Sequence, residues 1–204
     1  MRELILKMSM SLDGFVSDLS GTNTWMYGSD PEAVAFAVET TWNAGLHIMG
    51  SHSFEIMASF YPTVDMPFAP PMNQIPKAVF SSRGRAVLPA ATGKGRAGAE
   101  SWAEAYVAGG TLAGEVARLK AEDGKPILAH GGVAFARSLI AEGLVDEYIL
   151  AVHPIALGEG LSLFSALAAP APLRLVGSRA FPGGMVAQVY RPAQPGRAVP
   201  TAAG

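Results

Sequence analysis

Residues 126–150 read PILAHGGVAFARSLIAEGLVDEYIL, and this stretch decides the fold class. An apolar run, Ile127-Leu128-Ala129, ends in His130-Gly131-Gly132. An amphipathic segment follows, then a second apolar run from Glu147 to Val152. The order is strand, Gly-Gly turn, helix, strand. Two glycines let the backbone take positive φ and approach a ligand closely. A helix opening at such a turn directs free N–H groups and the positive end of its dipole outward, which suits a phosphate or pyrophosphate. Taken alone, the pair also fits an ordinary tight turn.

Working outward, Leu4 to Met10 is an apolar run interrupted by Lys7 and Ser9, and reads as a largely buried first strand. Ser11-Leu12-Asp13-Gly14 breaks it. Ser29-Asp30-Pro31-Glu32 starts a helix, with Pro suited to the first turn and acidic groups matching the dipole. Leu46-His47-Ile48-Met49 is a second strand, and Gly50 turns the chain into a short helix over 53–59. Residues 61–76 hold five prolines and read as an extended connection. Lys77 to Ser82 is a third strand, 83–101 is irregular, 101–107 includes a short strand, and 111–122 is a helix. Near the C-terminus, Leu173 to Phe181, a Pro182-Gly183-Gly184 turn and Met185 to Tyr190 form an antiparallel hairpin. Strands alternating with helices before a closing hairpin indicate an α/β fold, a mostly parallel sheet with an antiparallel C-terminal hairpin. Residues 1–191 read as one domain and 192–204 as a flexible tail.

Composition narrows the function. Half of the 204 residues are hydrophobic, 16% are charged and the net charge is −2, with no Lys/Arg cluster. Nucleic acid is therefore not an expected partner. No apolar window approaches a membrane span, and the N-terminal stretch carries Arg2, Glu3 and Lys7, unlike a signal peptide. Cysteine is absent, which excludes thiolate chemistry and fits a cytoplasmic protein. The four histidines show no paired spacing, so no metal is expected.

Four segments, in order, carry a family resemblance: SMSLDGFVS (9–17), HIMGSHSFE (47–55), PKAVFSS (76–82), and the Gly-Gly stretch above with HPIALGEGLSLF (153–164). Together they resemble the dihydrofolate-reductase-like superfamily. The branch they are most similar to is the reductase domain of riboflavin biosynthesis, the C-terminal part of a bifunctional deaminase–reductase. The resemblance implies a three-layer α/β/α fold and an NADPH-dependent reductase of a small flat heterocycle, pyrimidine- or pterin-like. Separately, the hydrophobic edge and hairpin offer a dimer interface, and a homodimer is expected. It places Met8 and Ser9 near the nicotinamide. Gly131, Gly132, Val133 and Ala134 cradle the pyrophosphate, and Gly50, Ser51, His52, Ser53, Ser81 and Ser82 surround the adenosine side. Without cysteine the deaminase zinc site cannot exist, so the expectation is the reductase half alone. The family turn carries Arg where this chain has Ser51. Arg grips a 2′-phosphate through its donor fork, so NADH is not excluded, and Arg83 or Arg85 are candidate replacements.

For chemistry, hydride reduction needs a proton donor or hydrogen-bond partner at the developing charge. Asp13 is the leading candidate, although an Asp-Gly turn explains it equally well. Glu32 and Asp30 are alternatives from the first helix, with capping as their other reading. Trp25 and Glu159 are candidate substrate contacts. A different class also remains open: a non-catalytic protein binding a nucleotide, flavin or other small ligand on the same scaffold.

Overall fold

The structure is a computed structural model, and it describes residues 1–27, 30–90 and 97–193. Strand β1 (Leu4–Ser11) leads through a one-turn 3-10 helix at Thr24–Met26 to helix α1 (Pro31–Trp42). Then come β2 (Leu46–Gly50), α2 (Ser51–Phe60), α3 (Ala69–Gln74), β3 (Lys77–Phe80), α4 (Glu100–Ala103), β4 (Tyr106–Ala108) and α5 (Leu112–Ala121). The quoted stretch forms β5 (Ile127–His130), α6 (Val133–Ala141) and β6 (Glu147–His153), and the hairpin forms β7 (Leu173–Ala180) and β8 (Val186–Pro192). All eight strands make one sheet, ordered β4-β3-β2-β5-β1-β6-β8-β7. The six strands from β4 to β6 are mutually parallel, β8 runs antiparallel to β6, and β7 runs antiparallel to β8.

Three local readings are corrected. The proline-rich connection contains α3, because Pro70 and Pro71 fall in its first turn, where no intrahelical N–H is required. The segment 101–107 is split between the end of α4 and β4, with Trp102 buried as the anchor. The third strand stops at Phe80, and the Ser81 hydroxyl instead accepts from the Arg83 N–H in a local turn. Part of the irregular segment, 91–96, and the expected tail beyond 193 lie outside the described residues.

The two faces of the sheet differ in chemistry. Leu4, Leu6, Met8 and Met10 of β1 join Leu46, Ile48, Ile127, Ala129 and Leu150 in an apolar core under α5 and α6. The alternate β1 positions, Lys7, Ser9 and Ser11, project to the other face, since successive strand residues point oppositely. In register beside them stand His130 on β5 and His153 on β6. His47 and Lys77, paired with each other across β2 and β3, share that face. It is covered by α1, whose Thr41 carbonyl reaches His47, and by α3, before which Phe68 sits against the Lys7 ammonium. The first strand is therefore buried on one face and polar on the other. Among the described residues, no helix is long and apolar enough to cross a membrane.

Candidate functional site

The parallel strands deliver their carboxyl ends to one edge of the sheet, where ligands of such sheets sit. Gly132 is the N-cap of α6 and has φ +81°. Gly50 is the N-cap of α2 on the neighbouring strand. Neither helix start has a side-chain cap, so the first-turn N–H groups of both keep their donors for another partner. The two starts pack together. A Cβ on Gly132 would lie 2.7 Å from the Ser53 Oγ, and one on Gly50 would lie 3.2 Å from the Phe135 Cβ. Gly131 has open space where its Cβ would be. The sequence placed Gly50–Ser53 and Gly131–Ala134 at separate strand ends, and the structure brings them into contact.

The remaining positions are distributed around this centre. Ser81 and Ser82 follow β3, next to β2. Arg83 pairs with Glu55 of α2 at 2.8 Å, and both side chains are half-exposed. His52 is exposed on the first turn of α2. Ser9 faces the polar side of the sheet and is partly exposed. The Met8 side chain is buried in the apolar core on the opposite face, so only its backbone is free to meet a ligand.

Asp13 does not have the setting of a proton donor. Its carboxylate accepts from the Ser11 hydroxyl at 2.6 Å, the Gly158 N–H at 2.7 Å and the Leu157 N–H at 3.0 Å. The Ser11 hydroxyl and the Gly158 and Leu157 N–H groups hold its pKa down at about 2. An ionised carboxylate engaged this way anchors the 155–160 loop to the end of β1. Asp13→Asn is expected to speed hydrogen exchange at Leu157 and Gly158 while the β5 and β6 amides stay protected. Unchanged exchange at those two amides would refute the anchoring role. The loop is further fixed at Gly160, where a Cβ would overlap the Ser17 carbonyl oxygen.

The helix carboxylates are also engaged. Asp30 caps α1 through the Glu32 and Ala33 N–H groups and accepts from Gly183 N–H of the hairpin turn. Glu32 is exposed and pairs with Arg179 on β7, the outermost strand of the hairpin. Glu159 is exposed on the anchored loop. Trp25 packs edge-on against His153 with ring centroids 5.4 Å apart, and among the described residues the Trp25 Nε1 and His153 Nε2 are both buried without a partner.

Sequence reading missed the polar face itself. Lys7 looked like an interruption of an apolar strand, and burial pulls its pKa down to about 8. His47 and His130 stand in a T-shaped pair with centroids 4.4 Å apart. Burial drives both pKa values down, His47 to about 3. The available signal was period two: Lys7, Ser9 and Ser11 alternate with Leu6, Met8 and Met10.

The sequence profile described as the RibD C-terminal domain matches residues 2–187. The chain belongs to that family. A Bacillus subtilis (strain 168) relative, the uncharacterized protein YyaP, is 29% identical over 189 residues, covering 93% of this chain and 94% of its own. Among solved structures, a putative riboflavin biosynthesis protein from Shewanella sp. PV-4 has a TM-score of 0.67 at 23% identity, covering 94% of this chain and 99% of that one. The Thermotoga maritima diaminohydroxyphosphoribosylaminopyrimidine deaminase/5-amino-6-(5-phosphoribosylamino)uracil reductase has a TM-score of 0.66 at 17% identity, covering 94% of this chain but 57% of that one. A dihydrofolate reductase from Enterococcus faecalis, complexed with NADP(H), gives 0.59 at 14% identity, over 93% of this chain and 96% of that one. These likenesses establish the dihydrofolate-reductase-like fold. Near the start of α2, Glu55 occupies Arg83.

Proposed function

We propose that the protein is an NAD(P)H-dependent reductase of a small flat heterocycle, working without a deaminase. The observation that carries this reading is the pair of uncapped helix N-termini joined at Gly132 and Ser53. A pyrophosphate fits such a double N-terminus because several backbone donors and two dipole ends converge on it. Residues 131–134 then hold the pyrophosphate. Gly50 to Ser53, with Ser81 and Ser82, hold the adenosine side, and Ser9 with the Met8 backbone lies on the nicotinamide side. When bound, a nicotinamide cofactor supplies hydride. The chain's residues position the ring, exclude water and present hydrogen-bonding groups to the substrate. Trp25 covers the substrate side, Asp13 holds the loop that carries Glu159, and Lys7 and His130 form the polar floor. The reading extends to a cytoplasmic homodimer.

Titration with NADPH and with NADH, followed by cofactor fluorescence, tests this. Saturable binding of at least one supports the reading, and no binding of either at millimolar concentration refutes it. Cofactor choice has its own prediction. Glu55 draws the Arg83 guanidinium away from a 2′-phosphate, so Glu55→Gln should raise NADPH affinity relative to NADH by about three- to tenfold, and Arg83→Gln should lower it. An unchanged NADPH/NADH ratio in both variants would show that Arg83 does not touch the 2′ position. A second reading is favoured by the engagement of both Asp13 and Glu32: a non-catalytic protein that binds the nucleotide. Tight cofactor binding with no turnover over a panel of pyrimidines and pterins supports it.

A further inference from the structure

A groove of about 580 Å³ runs along the outer side of α1. Val34, Ala35, Val38 and Trp42 line it, with Pro67 beside them. Val34, Val38 and Trp42 recur every fourth residue, so they form one stripe down the helix. The opposite side of α1 is apolar too, since Ala33 and Phe36 pack against Phe181, Met185 and Ala187. A helix that is apolar all round normally has both sides covered. Yet Trp42 keeps 38% exposure. Glu39 is the one charged residue in the lining among the described residues. It stands three residues before Trp42, so the carboxylate and the indole are neighbours on the helix surface. Among the described residues, no cation pairs with Glu39. The last turn of α1 carries no basic residue, and Lys125 reaches the Trp42 carbonyl at 3.3 Å rather than the Glu39 carboxylate.

We infer that this groove binds a small amphiphilic cation, an ammonium or guanidinium carried on an apolar body. The head meets the Glu39 carboxylate and the Trp42 indole, whose ring face attracts cations. The body lies back along Val38 and Val34, a run of about 12 Å at the helical rise. The volume suits such a ligand, since small-molecule sites span roughly 300–1,000 Å³. It does not suit a second copy of the chain. The stripe is one helix wide, about 10 Å, and falls well short of the roughly 800 Å² that each partner buries in a stable interface. Both charged side chains of α1, Glu32 and Glu39, are acidic, so α1 against α1 would oppose like charges. The groove lies outside the cofactor turns, and this ligand is separate from the reductase reading.

Three ligands that share one apolar body test this by calorimetry: 4-phenylbutylammonium, 4-phenylbutanol and 4-phenylbutyrate. The ammonium should bind about three- to thirtyfold tighter than the butyrate, the factor that one exposed ion pair and one exposed cation–π contact carry together, with the alcohol between them. Glu39→Gln should cut that ratio about twofold or more, and Glu39→Lys should reverse the order. Trp42→Leu should weaken the ammonium more than the alcohol. The Glu39 variants should melt like the wild type, because the side chain is exposed. Equal binding of ammonium and butyrate overturns the inference. So does the absence of saturable ammonium binding in the millimolar range, or a preference that Glu39→Gln leaves intact. Sedimentation tests the competing occupant: a wild-type dimer that Trp42→Leu dissolves would show a second copy covering the groove and would also overturn it. Failure to bind NADPH or NADH would refute the reductase reading and leave this inference standing.

Discussion

Gly132→Val is expected to abolish nicotinamide-nucleotide binding and to lower stability without unfolding the protein. Gly132 has φ +81° and ψ 97°, a region that L side chains avoid. Forcing a branched side chain there costs about 1–3 kcal/mol. For a chain of this size, that corresponds to a Tm loss of roughly 2–12 °C. The new Cβ also meets the Ser53 Oγ at 2.7 Å. Ser53 can rotate away, but the added methyl groups then fill the space between the two helix starts. Binding requires a backbone approach that those methyls block, so affinity for NADPH and NADH should fall about a hundredfold or more, on the order of 3 kcal/mol. Gly131→Ala is the control: its Cβ points into open space, and it should have a much smaller effect on stability. Thermal melts with cofactor titrations separate the effects. A Gly132→Val protein that melts lower yet binds cofactor normally would remove the turn from the cofactor site.

Acid should destabilise the protein well before its carboxylates titrate. His47 and His130 are held neutral, chiefly because burial excludes the charged form, with the nearby lysines adding to it. In the unfolded chain both bind protons near the ordinary histidine value of 6.5. Below that pH the unfolded state therefore holds more protons than the folded one, and stability falls as pH falls. The stability is fully present above pH 6.5 and, for His47, is lost progressively toward its folded pKa of about 3. At two pH units below the unfolded value, His47 alone costs on the order of 3 kcal/mol. His130, also held neutral by burial, adds a cost in the same direction. Against a typical domain stability of about 5–15 kcal/mol, this is a large loss. Urea unfolding between pH 7 and pH 4.5 measures it. His47→Leu should flatten the profile over that range, even if it lowers stability at pH 7. A wild-type profile that is flat over that range would show the imidazoles to be less buried than the packing indicates. Asp13, with its pKa held near 2, acts in the same direction but only below the ordinary carboxylate range.

Some of the site was legible because its chemistry is local. A Gly-Gly pair between an apolar run and an amphipathic one specifies a strand-to-helix corner whatever surrounds it. The Asp30-Pro31 start of α1 was legible for the same reason, since a cap is made by neighbouring backbone N–H groups. Asp13 was only half legible. Its turn is local, but the Leu157 and Gly158 N–H groups that hold it ionised come from a distant loop. Glu32 was half legible for a similar reason, because its partner Arg179 arrives with the hairpin. The helix α3 was missed because proline was read as a breaker, whereas in a first turn it is tolerated.

By itself the sequence determined the alternation of strands and helices, the closing hairpin and the glycine turns at the strand ends. These follow from short-range periodicity and backbone sterics. Only the tertiary structure decided which face of the sheet each alternation served. Parallel register set Lys7 beside His130 and His47 beside Lys77, and packing brought the Gly132 turn against Ser53. Such neighbours are far apart along the chain, and no local pattern encodes which strands will lie side by side. The shift of His47 and His130 to the neutral form, and the lowered pKa of Lys7, exist only once those strands are joined and water is excluded.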